Sequence, residues 1–468
     1  MDHAMTANFN NEQFHQARLS RDPRFDGLFY VAVKTTGIYC RPICPAPAAK
    51  EKNVDYYEHA WQAQANGFRP CFRCRPDASP GSAAWRGTHS SVSRAMSLID
   101  DGVLDEQAMP QLAERLGMSD RYLRKLFQQH IGLSPQHYAQ LKRCDFAKQL
   151  VQNSQLSITD IALASGFGSV RQFNEQFKKY AGQTPSSLRK QAKQKHAENL
   201  IELPLYYRPP YNWEQFHRFL SKRYLNKLEW LDDQSYGRSF HWQGGEHSSH
   251  GKFTVYHQPE KNGFLLKLEI DQLADLRAVI ANIRRLLDLD ANSQLIEQQL
   301  QKACPQLTLC EGLRLPGTWD AYEAGIRAIL GQQISVQAAK QHMENLLAHY
   351  GEYKNEQLYF PKPKTLAASD FDVFKMPGAR KQCLKNFAHY YSQHLPSHFN
   401  TEEWLALKGI GPWTVNYAAM RGQSQPDILL DGDLGVKKGL SQHGIHIDCD
   451  AAKPWRSYLT LQLWEQLQ

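Results

Sequence analysis

Four cysteines lie in two close pairs in the first quarter of the chain. Cys40 and Cys44 occur in the stretch TTGIYCRPICPAPAAK, and Cys71 and Cys74 occur in FRPCFRCRPD. The resulting pattern, C-x3-C followed after 26 residues by C-x2-C, is typical of a zinc ion held by four thiolates. Sulfur ligands without histidine exclude magnesium and calcium. The pattern predicts one Zn²⁺ and leaves open whether that ion only stabilises the fold or also activates a sulfur.

A thiolate held by zinc is a nucleophile at neutral pH if an electrophile can reach it. A four-thiolate zinc site carries a charge of about −2, and alkylation of one sulfur to a thioether would leave about −1. Such a change matters only beside another charged surface, for which the phosphates of DNA are an example.

The segments FDGLFYVAVKTTGIYCRPICPA and GFRPCFRCRPD resemble the N-terminal domain of the Ada methylation-response family, over about residues 10–80. The resemblance implies that Cys40 accepts a methyl group from a methylphosphotriester in DNA, and that the ion both stabilises and activates. Four arginines of this segment could hold phosphate or form a solvated surface: Arg41, Arg69, Arg73 and Arg75. The family's guanine-repair domain is marked by Pro-Cys-His-Arg, which does not occur in this chain. We therefore expect that second activity to be absent.

Residues 86–195 contain an internal repeat of a helix, a glycine turn and a second helix. The copies are LAERLGMSDRYLRKLFQQHIGLSPQHY and IALASGFGSVRQFNEQFKKYAGQTPSSL, and Ser134 and Thr184 place a capping hydroxyl before proline in each. The repeat resembles the double helix-turn-helix domain of AraC-type regulators, which implies that each second helix enters a major groove. The expected DNA-contacting residues are Arg121, Arg124 and Lys125 in the first copy and Arg171 and Gln172 in the second.

Two further motifs lie in the last quarter of the chain. The stretch LKGIGPWTVNYAAMRG places Gly409 and Gly411 between helical segments and resembles a helix-hairpin-helix, in which glycines let the backbone approach a phosphate. The stretch PDILLDGDLGVKKGL carries Asp431 and Asp433 at the start of another helix. Each aspartate could be a helix cap or turn residue, or a catalytic carboxylate.

Four segments occur in the order found in the AlkA family of alkylbase DNA glycosylases: LPLYYRPPYNW, GLRLPGTWDAYEAGIRAILGQQIS, KGIGPWTVNYAAMRG and KPWRSYLTLQLW. The resemblance covers about residues 204–468 and implies excision of alkylated bases such as 3-methyladenine. It assigns the catalytic carboxylate to Asp433 rather than Asp431. It assigns the aromatic residues that stack on the damaged base to Trp413, Tyr417 and Trp464.

The same resemblance predicts which bonds are broken in the reaction. Because a methylated adenine is cationic, the single carboxylate of Asp433 can suffice, unlike the carboxylate pairs of sugar glycosidases. Trp413 occupies the position at which bifunctional relatives carry a Schiff-base lysine, so we expect base removal without strand cleavage. Gln333 matches the wedge residue that fills the gap left by the flipped base, although AlkA itself has an apolar residue there. By analogy, a monovalent cation would bind at the hairpin.

The chain has 468 residues, 42% of them hydrophobic, and a formal net charge of +8, as expected for a protein of several domains. Residues 1–85 hold 10 Lys/Arg against 8 Asp/Glu (+2), residues 86–195 hold 16 against 9 (+7), and residues 196–468 hold 29 against 30 (−1). The basic middle segment favours a polyanionic partner. No apolar run approaches the roughly 18–20 residues that span a bilayer, and no signal peptide is apparent, so we expect a cytoplasmic protein.

These features predict a multidomain protein, α+β and mostly α. The predicted parts are a small zinc-bound α+β domain (1–85), an all-α double helix-turn-helix domain (86–195), a linker (196–203), an α+β antiparallel-sheet domain (204–311) and an all-α helix-hairpin-helix glycosylase domain (312–468). In the fourth part, alternation from Phe264 to Ile270 predicts a strand that pairs with KFTVYHQ.

The expected partners are double-stranded DNA, both alkylated and promoter DNA, and RNA polymerase, with no membrane. Two rival interpretations stay open. In one, the protein is a methyl-sensing regulator whose glycosylase half is inactive. In the other, the glycosylase is active and the zinc is purely structural.

Overall fold

A computed structural model of the chain describes residues 11–21, 25, 28–44, 46–71, 74, 76, 91–100, 102–106, 108–116, 118–191, 200–244, 247–443, 448 and 451–467. The chain divides into two compact units, Met1–Pro209 and Pro210–Gln468. Among the residues in these ranges, no helix is long and apolar enough to cross a bilayer.

A small sheet at the start of the first unit positions the cysteines. Its elements are α1 (Asn11–Ser20), β1 (Tyr30–Val33), β2 (Ile38–Cys40), β3 (Val54–Tyr57), α2 (Ala60–Ala65) and β4 (Arg69–Pro70), with strand order β3-β1-β2-β4. Strand β1 pairs antiparallel with β2 and β3, whereas β4 pairs parallel with β2. The Cys71 backbone N–H donates to the Tyr39 carbonyl over 2.9 Å. Because Cys40 ends β2, the two halves of the cysteine pattern meet at this edge.

Helices form most of the remaining described part of the first unit. They are α3 (Ser91–Asp100), α4 (Val103–Glu106), α5 (Met109–Arg115), α6 (Asp120–His130), α7 (Pro135–Asn153), α8 (Ile158–Ala164), α9 (Val170–Ala181) and α10 (Pro185–Gln191), followed by strand β5 (Ile201–Tyr206). The hydroxyls of Ser119, Ser134 and Ser169 accept first-turn N–H groups of α6, α7 and α9. The predicted Ser134 cap is confirmed. Helices α5–α6 and α8–α9 are the two helix-turn-helix pairs, joined by α7.

The stretch predicted as a linker, 196–203, lies near the boundary of the two units. Strand β5 begins inside it, at Ile201, and the boundary itself falls between Pro209 and Pro210. The finer division into four domains stays a prediction.

The second unit begins with an antiparallel meander flanked by helices. Its elements are α11 (Trp213–Ser221), β6 (Glu229–Asp232), β7 (Ser235–Gly244), β8 (His247–Gln258), β9 (Gly263–Ile270), α12 (Leu276–Leu286) and α13 (Ser293–Ala303). Consecutive strands pair from β6 to β9. The predicted strand is confirmed as β9, and its predicted partner is β8, with Phe253 opposite Leu268 and Val255 opposite Leu266.

The rest of the second unit is mostly helical. It consists of α14 (Ala321–Gly331), α15 (Val336–Tyr350), β10 (Glu352–Lys354), β11 (Gln357–Tyr359), α16 (Pro363–Ala367), α17 (Gly378–Tyr391), α18 (Thr401–Leu405), α19 (Pro412–Gly422), α20 (Leu434–His443) and α21 (Arg456–Glu465). Phe387, Tyr391 and Trp404 pack in its buried core. A Cβ on Gly325 would lie 2.1 Å from the Phe387 ring, so α14 and α17 need glycine here to approach so closely. The core includes Val415 and Ala418, so it supports α19.

Candidate functional site

Four cysteine sulfurs converge at the edge of the first sheet. The Sγ atoms of Cys40, Cys44, Cys71 and Cys74 lie within 4.8 Å of one another, and all four cysteines are free of disulfides. This donor set fits a zinc ion with four thiolate ligands, and it does not fit an ion that prefers oxygen. Cys40 is half-buried, whereas the other three are at most 9% exposed. As a whole residue, Cys40 is therefore the most exposed of the four cysteines.

Arg41 directly follows Cys40 but is buried. Its backbone N–H donates to Cys74 Sγ over 3.4 Å, and its guanidinium donates to the Cys74 carbonyl over 3.4 Å. The guanidinium also lies 5.5 Å from the centre of the Tyr206 ring. Arg41 thus holds the cysteine loop together, a role that the sequence did not suggest. Arg69 is exposed, and Arg73 and Arg75 lie outside the described residues.

The residues predicted to contact DNA lie on α6 and α9. Four of them are exposed: Arg121, Lys125, Arg171 and Gln172. Arg124 differs, because its guanidinium donates to Asp120 over 2.7 and 3.1 Å and to Gln136 over 2.7 Å. Arg124 is therefore held by partners within the chain, whereas the other four side chains extend into solvent.

Asp433 lies at the start of α20, where its carboxylate is held by four donors. Oδ1 accepts the backbone N–H groups of Gly435 and Val436 over 2.8 and 3.2 Å, which is a helix cap. Oδ1 also accepts Trp464 Nε1 over 3.0 Å, and Oδ2 accepts Trp413 Nε1 over 3.2 Å. Asp433 thus caps α20 and also contacts two indoles. From the sequence alone, a helix cap and a catalytic carboxylate were alternatives for this residue.

Two aromatic stacks adjoin this carboxylate. The rings of Trp413 and Tyr417 stack with centroids 5.3 Å apart, and Trp464 stacks on Phe219 at 6.3 Å. The Tyr417 hydroxyl accepts a hydrogen bond from Arg421 over 3.2 Å. The structure therefore brings Asp433 together with all three predicted aromatic residues.

Sequence reasoning missed two arginines and a phenylalanine at this site. The guanidinium carbon of Arg223 lies 3.9 Å from the centre of the Phe219 ring, and that of Arg421 lies 4.6 Å from it. Burial lowers the pKa of Arg223 to about 10. Phe219 and Arg223 lie on or just after α11, about 200 residues before Asp433, and no local pattern connects them to the hairpin.

The hairpin glycines have different surroundings. Gly409 has φ +95°, and a Cβ on it would lie 2.9 Å from Cys383 Sγ. Gly411 precedes α19 with φ −112°, and a Cβ on it would meet nothing within 4 Å. Gln332 Nε2 donates to the Gly409 carbonyl over 3.1 Å, which ties the loop after α14 to the hairpin. Gln333, at the tip of that loop, is exposed with φ +59°.

The remaining candidate aspartate, Asp431, is exposed on the turn before α20. One residue, Gly432, separates it from Asp433, yet only Asp433 has its carboxylate bonded to Trp413 and Trp464 among the hydrogen bonds of the described residues. The two aspartates therefore differ in environment, and Asp433 is the one within the aromatic site.

Three family models match the chain. They are the metal binding domain of Ada at residues 13–77, a helix-turn-helix domain at 112–191 and the AlkA N-terminal domain at 202–320.

Curated relatives match both halves. A probable bifunctional transcriptional activator/DNA repair enzyme AlkA of Mycobacterium tuberculosis is 35% identical over 98% of this chain and 96% of its own. DNA-3-methyladenine glycosylase 2 of Escherichia coli is 33% identical over 56% of this chain and 95% of its own. The bifunctional transcriptional activator/DNA repair enzyme Ada of Escherichia coli is 32% identical over 38% of this chain and 49% of its own. The chain therefore belongs to the family of bifunctional activator and DNA repair proteins in which an Ada-type regulatory half is fused to an AlkA-type half.

Proposed function

We propose that this chain senses and repairs alkylated DNA. Its first unit takes a methyl group from a methylphosphotriester onto Cys40 and then regulates transcription, and its second unit hydrolyses the glycosidic bond of alkylated bases such as 3-methyladenine. The observation that carries the repair half is the carboxylate of Asp433 bonded to two indoles beside stacked aromatic rings. The cluster of four cysteines, of which Cys40 is the only half-buried residue by whole-residue exposure, carries the sensing half.

The methyl transfer is a single displacement. Cys40 Sγ attacks the methyl carbon of the phosphotriester, a sulfur–carbon bond forms, and the carbon–oxygen bond breaks to leave a phosphodiester anion. When bound, Zn²⁺ keeps its cysteine ligands deprotonated at neutral pH, which supplies the nucleophile. Cys44, Cys71 and Cys74 would hold the ion together with Cys40, and Arg41 fixes the loop that carries Cys74. The thioether is a stable product, so each chain reacts once.

Regulation follows from charge. Converting one thiolate to a thioether removes one negative charge beside the DNA phosphates, so affinity for the duplex rises. The exposed side chains of Arg121, Lys125, Arg171 and Gln172 then bind promoter DNA through α6 and α9. Activation would require contact with RNA polymerase, which is the proposed protein partner.

Base excision relies on one carboxylate and several aromatic faces. The damaged base leaves the stack, and Gln333 fills the gap that it leaves. A cationic base stacks on Trp413, Tyr417 and Trp464, which is worth up to about 2 kcal/mol in a desolvated site. Asp433 stabilises the developing positive charge on the sugar or orients the attacking water. Because Trp413 replaces a lysine, no Schiff base forms and the strand stays intact.

The hairpin contributes backbone contacts to the phosphates. Gly411 precedes α19, whose first N–H groups lack helical partners and can bind a phosphate. By analogy, a monovalent cation would bind at the carbonyls of this turn, between Gly409 and Gly411.

The two halves are tested together in the full-length chain with two single substitutions. Cys40→Ala should lose methyl transfer, measured as a methylated peptide after incubation with methylated DNA, and should keep base release. Asp433→Asn should lower base release by at least about 100-fold and keep methyl transfer. The matched controls are Cys310→Ala, another half-buried thiol, and Asp431→Asn, the exposed neighbour.

Each rival predicts a distinct outcome. If the zinc is purely structural, wild-type Cys40 gains no methyl group and duplex affinity is the same before and after exposure to methylated DNA. If the glycosylase half is inactive, the wild-type chain and Asp433→Asn release alkylated bases at the same background rate. A β-elimination product trapped by borohydride would overturn the assignment of base removal without strand cleavage.

A further inference from the structure

Two histidines lie opposite each other on neighbouring strands of the second unit, and neither belongs to a candidate site described above. His241 on β7 is directly opposite His250 on β8, and their rings lie 4.3 Å apart between centroids at 74°. Glu352 begins β10, and its Oε2 lies 3.4 Å from His241 Nε2. Asp271 follows β9, and its Oδ2 lies 3.5 Å from His250 Nδ1. Two imidazoles and two carboxylates therefore converge from four places in the chain: β7, β8, the residue after β9, and β10.

The ring nitrogens of this pair are shielded from solvent and lack hydrogen-bond partners. Among the described residues, no group makes a hydrogen bond to Nδ1 or Nε2 of either His241 or His250. Buried polar atoms in proteins are nearly always paired, so four such atoms in one place require a reason. Burial lowers the pKa of His241 to about 4 and also lowers that of His250. Both rings are therefore neutral near pH 7, and neutral imidazole is the form that binds metal ions.

Charged groups of both signs surround the pair. The carboxylates of Glu352 and Asp271 are 38% and 39% exposed. Lys362 lies 2.9 Å from Glu352 and Lys354 lies 3.3 Å from Asp271. Both lysines are more than 40% exposed, so their flexible chains can move aside when a cation neutralises the carboxylates.

We propose that His241, His250 and Glu352 form a second metal site, which binds a zinc-class divalent ion, with Asp271 orienting His250 through Nδ1. Two histidines and one carboxylate are an established zinc donor set, and a carboxylate on the far nitrogen of a histidine ligand is its usual companion. The ligand atoms of these three residues lie within 4.8 Å of one another. Around one zinc ion they would be about 3.3–3.5 Å apart, so small side-chain rotations complete the site.

This ion would clamp the β7–β8 pair to the start of β10. His241 and His250 belong to the sheet, and Glu352 belongs to the short β10–β11 hairpin that follows α15. Its role is therefore to stabilise the second unit and not to take part in methyl transfer or base release.

The test uses the full-length chain and zinc alone as the probe. After equilibration with zinc and removal of weakly bound ion, metal analysis should give two ions in the wild type and one in the double variant His241→Gln/His250→Gln. At a free zinc concentration about 100-fold above the dissociation constant of the second site, the unfolding midpoint of the second unit should rise by roughly 5–10 °C in the wild type and should not rise in His241→Gln/His250→Gln.

A matched control comes from another histidine cluster in the same unit. The ligand atoms of His394, His398 and Glu403 also lie within 4.8 Å of one another, but Glu403 is exposed and Tyr390 and His398 already bond to it. The double variant His394→Gln/His398→Gln should keep both ions. The proposal is overturned if the wild type holds one ion at every zinc concentration, or if the second ion is lost with His394 and His398 instead. Cobalt substitution gives an independent measurement, since a second cobalt ion bound without thiolate would lack a sulfur charge-transfer band.

Discussion

The indole of Trp464 donates a hydrogen bond of 3.0 Å to Oδ1 of Asp433, the same oxygen that caps α20. Oδ1 thus receives three donors, from Trp464, Gly435 and Val436, whereas Oδ2 receives one, from Trp413. The helix start and α21 together fix the carboxylate, and Oδ2 is the oxygen with more capacity left to interact with a substrate.

Replacing Trp464 with phenylalanine should therefore slow base release without removing the stacking surface. Loss of one hydrogen bond to a charged group costs about 1.5–3 kcal/mol, which corresponds to roughly 10–100-fold in the single-turnover rate. Trp455→Phe is the matched control, because Trp455 immediately precedes α21 and is buried, but it does not contact Asp433 in the described structure. Equal rates for Trp464→Phe and the wild type would contradict this role.

Replacing each hairpin glycine with alanine should have a different effect, on stability for Gly409 and on DNA binding for Gly411. Gly409→Ala places a Cβ at positive φ against Cys383, so it should lower the free energy of unfolding by about 1–3 kcal/mol. Gly411→Ala meets no neighbour and should leave stability within about 0.5 kcal/mol. If the backbone at Gly411 approaches a phosphate, this variant should still bind duplex DNA more weakly. Denaturant unfolding and DNA titration separate the two effects, and the assignment fails if Gly411→Ala binds DNA normally.

The wedge assignment of Gln333 can be tested separately from its backbone conformation. Gln333→Gly suits the positive φ and should raise stability by up to about 1 kcal/mol, yet it removes the side chain and should lower excision from duplex DNA about 10-fold. Asn355→Gly is the matched control, because Asn355 is also exposed with φ +49° but lies in the β10–β11 turn. That variant should gain stability and excise bases at the wild-type rate. The assignment is wrong if both variants excise equally well.

The cysteine cluster was predictable from spacing, but its geometry was not. C-x3-C and C-x2-C identify Cys40, Cys44, Cys71 and Cys74 because metal ligands must recur at short intervals. The pairing that joins the two halves depends on β4, a strand of two residues that is parallel to β2. A segment that short has no periodicity, so no sequence pattern could reveal it.

Long-range contacts limited prediction in the second unit as well. The resemblance identified Asp433, Trp413 and Trp464, because each lies in a recognisable local stretch. Phe219 has no such stretch, and its stack on Trp464 arises only when α11 and α21 pack together. Likewise, His241 and His250 are nine residues apart in the sequence, and only the strand register places them opposite each other.

Arg121 and Arg124 should contribute unequally to DNA binding, although the sequence predicted both. Arg121 is exposed, whereas Arg124 donates to Asp120 and Gln136. Arg121→Ala should weaken promoter binding and, if it contacts a phosphate, reduce the salt slope of log K by about 1. Arg124→Ala should mainly lower stability. Titrations at several salt concentrations check this, and a larger loss of affinity for Arg124→Ala than for Arg121→Ala would contradict it.

The buried carboxyl of Asp288 should make stability depend on pH. Burial raises its pKa from 3.8 to about 7, although Arg314 and the Leu315 N–H oppose this. Because the folded state binds this proton more tightly than the unfolded state, the stabilisation is complete below pH 3.8 and is lost as pH rises through about 7. The loss is on the order of 4 kcal/mol. In Asp288→Asn, the free energy of unfolding should lose this part of its pH dependence between pH 4 and 8. This holds even if the variant is more or less stable than the wild type at every pH. Asp290 is a half-exposed neighbour paired with Arg284, and Asp290→Asn should keep the wild-type change of unfolding free energy with pH. The assignment is refuted if this change is the same in the wild type and both variants.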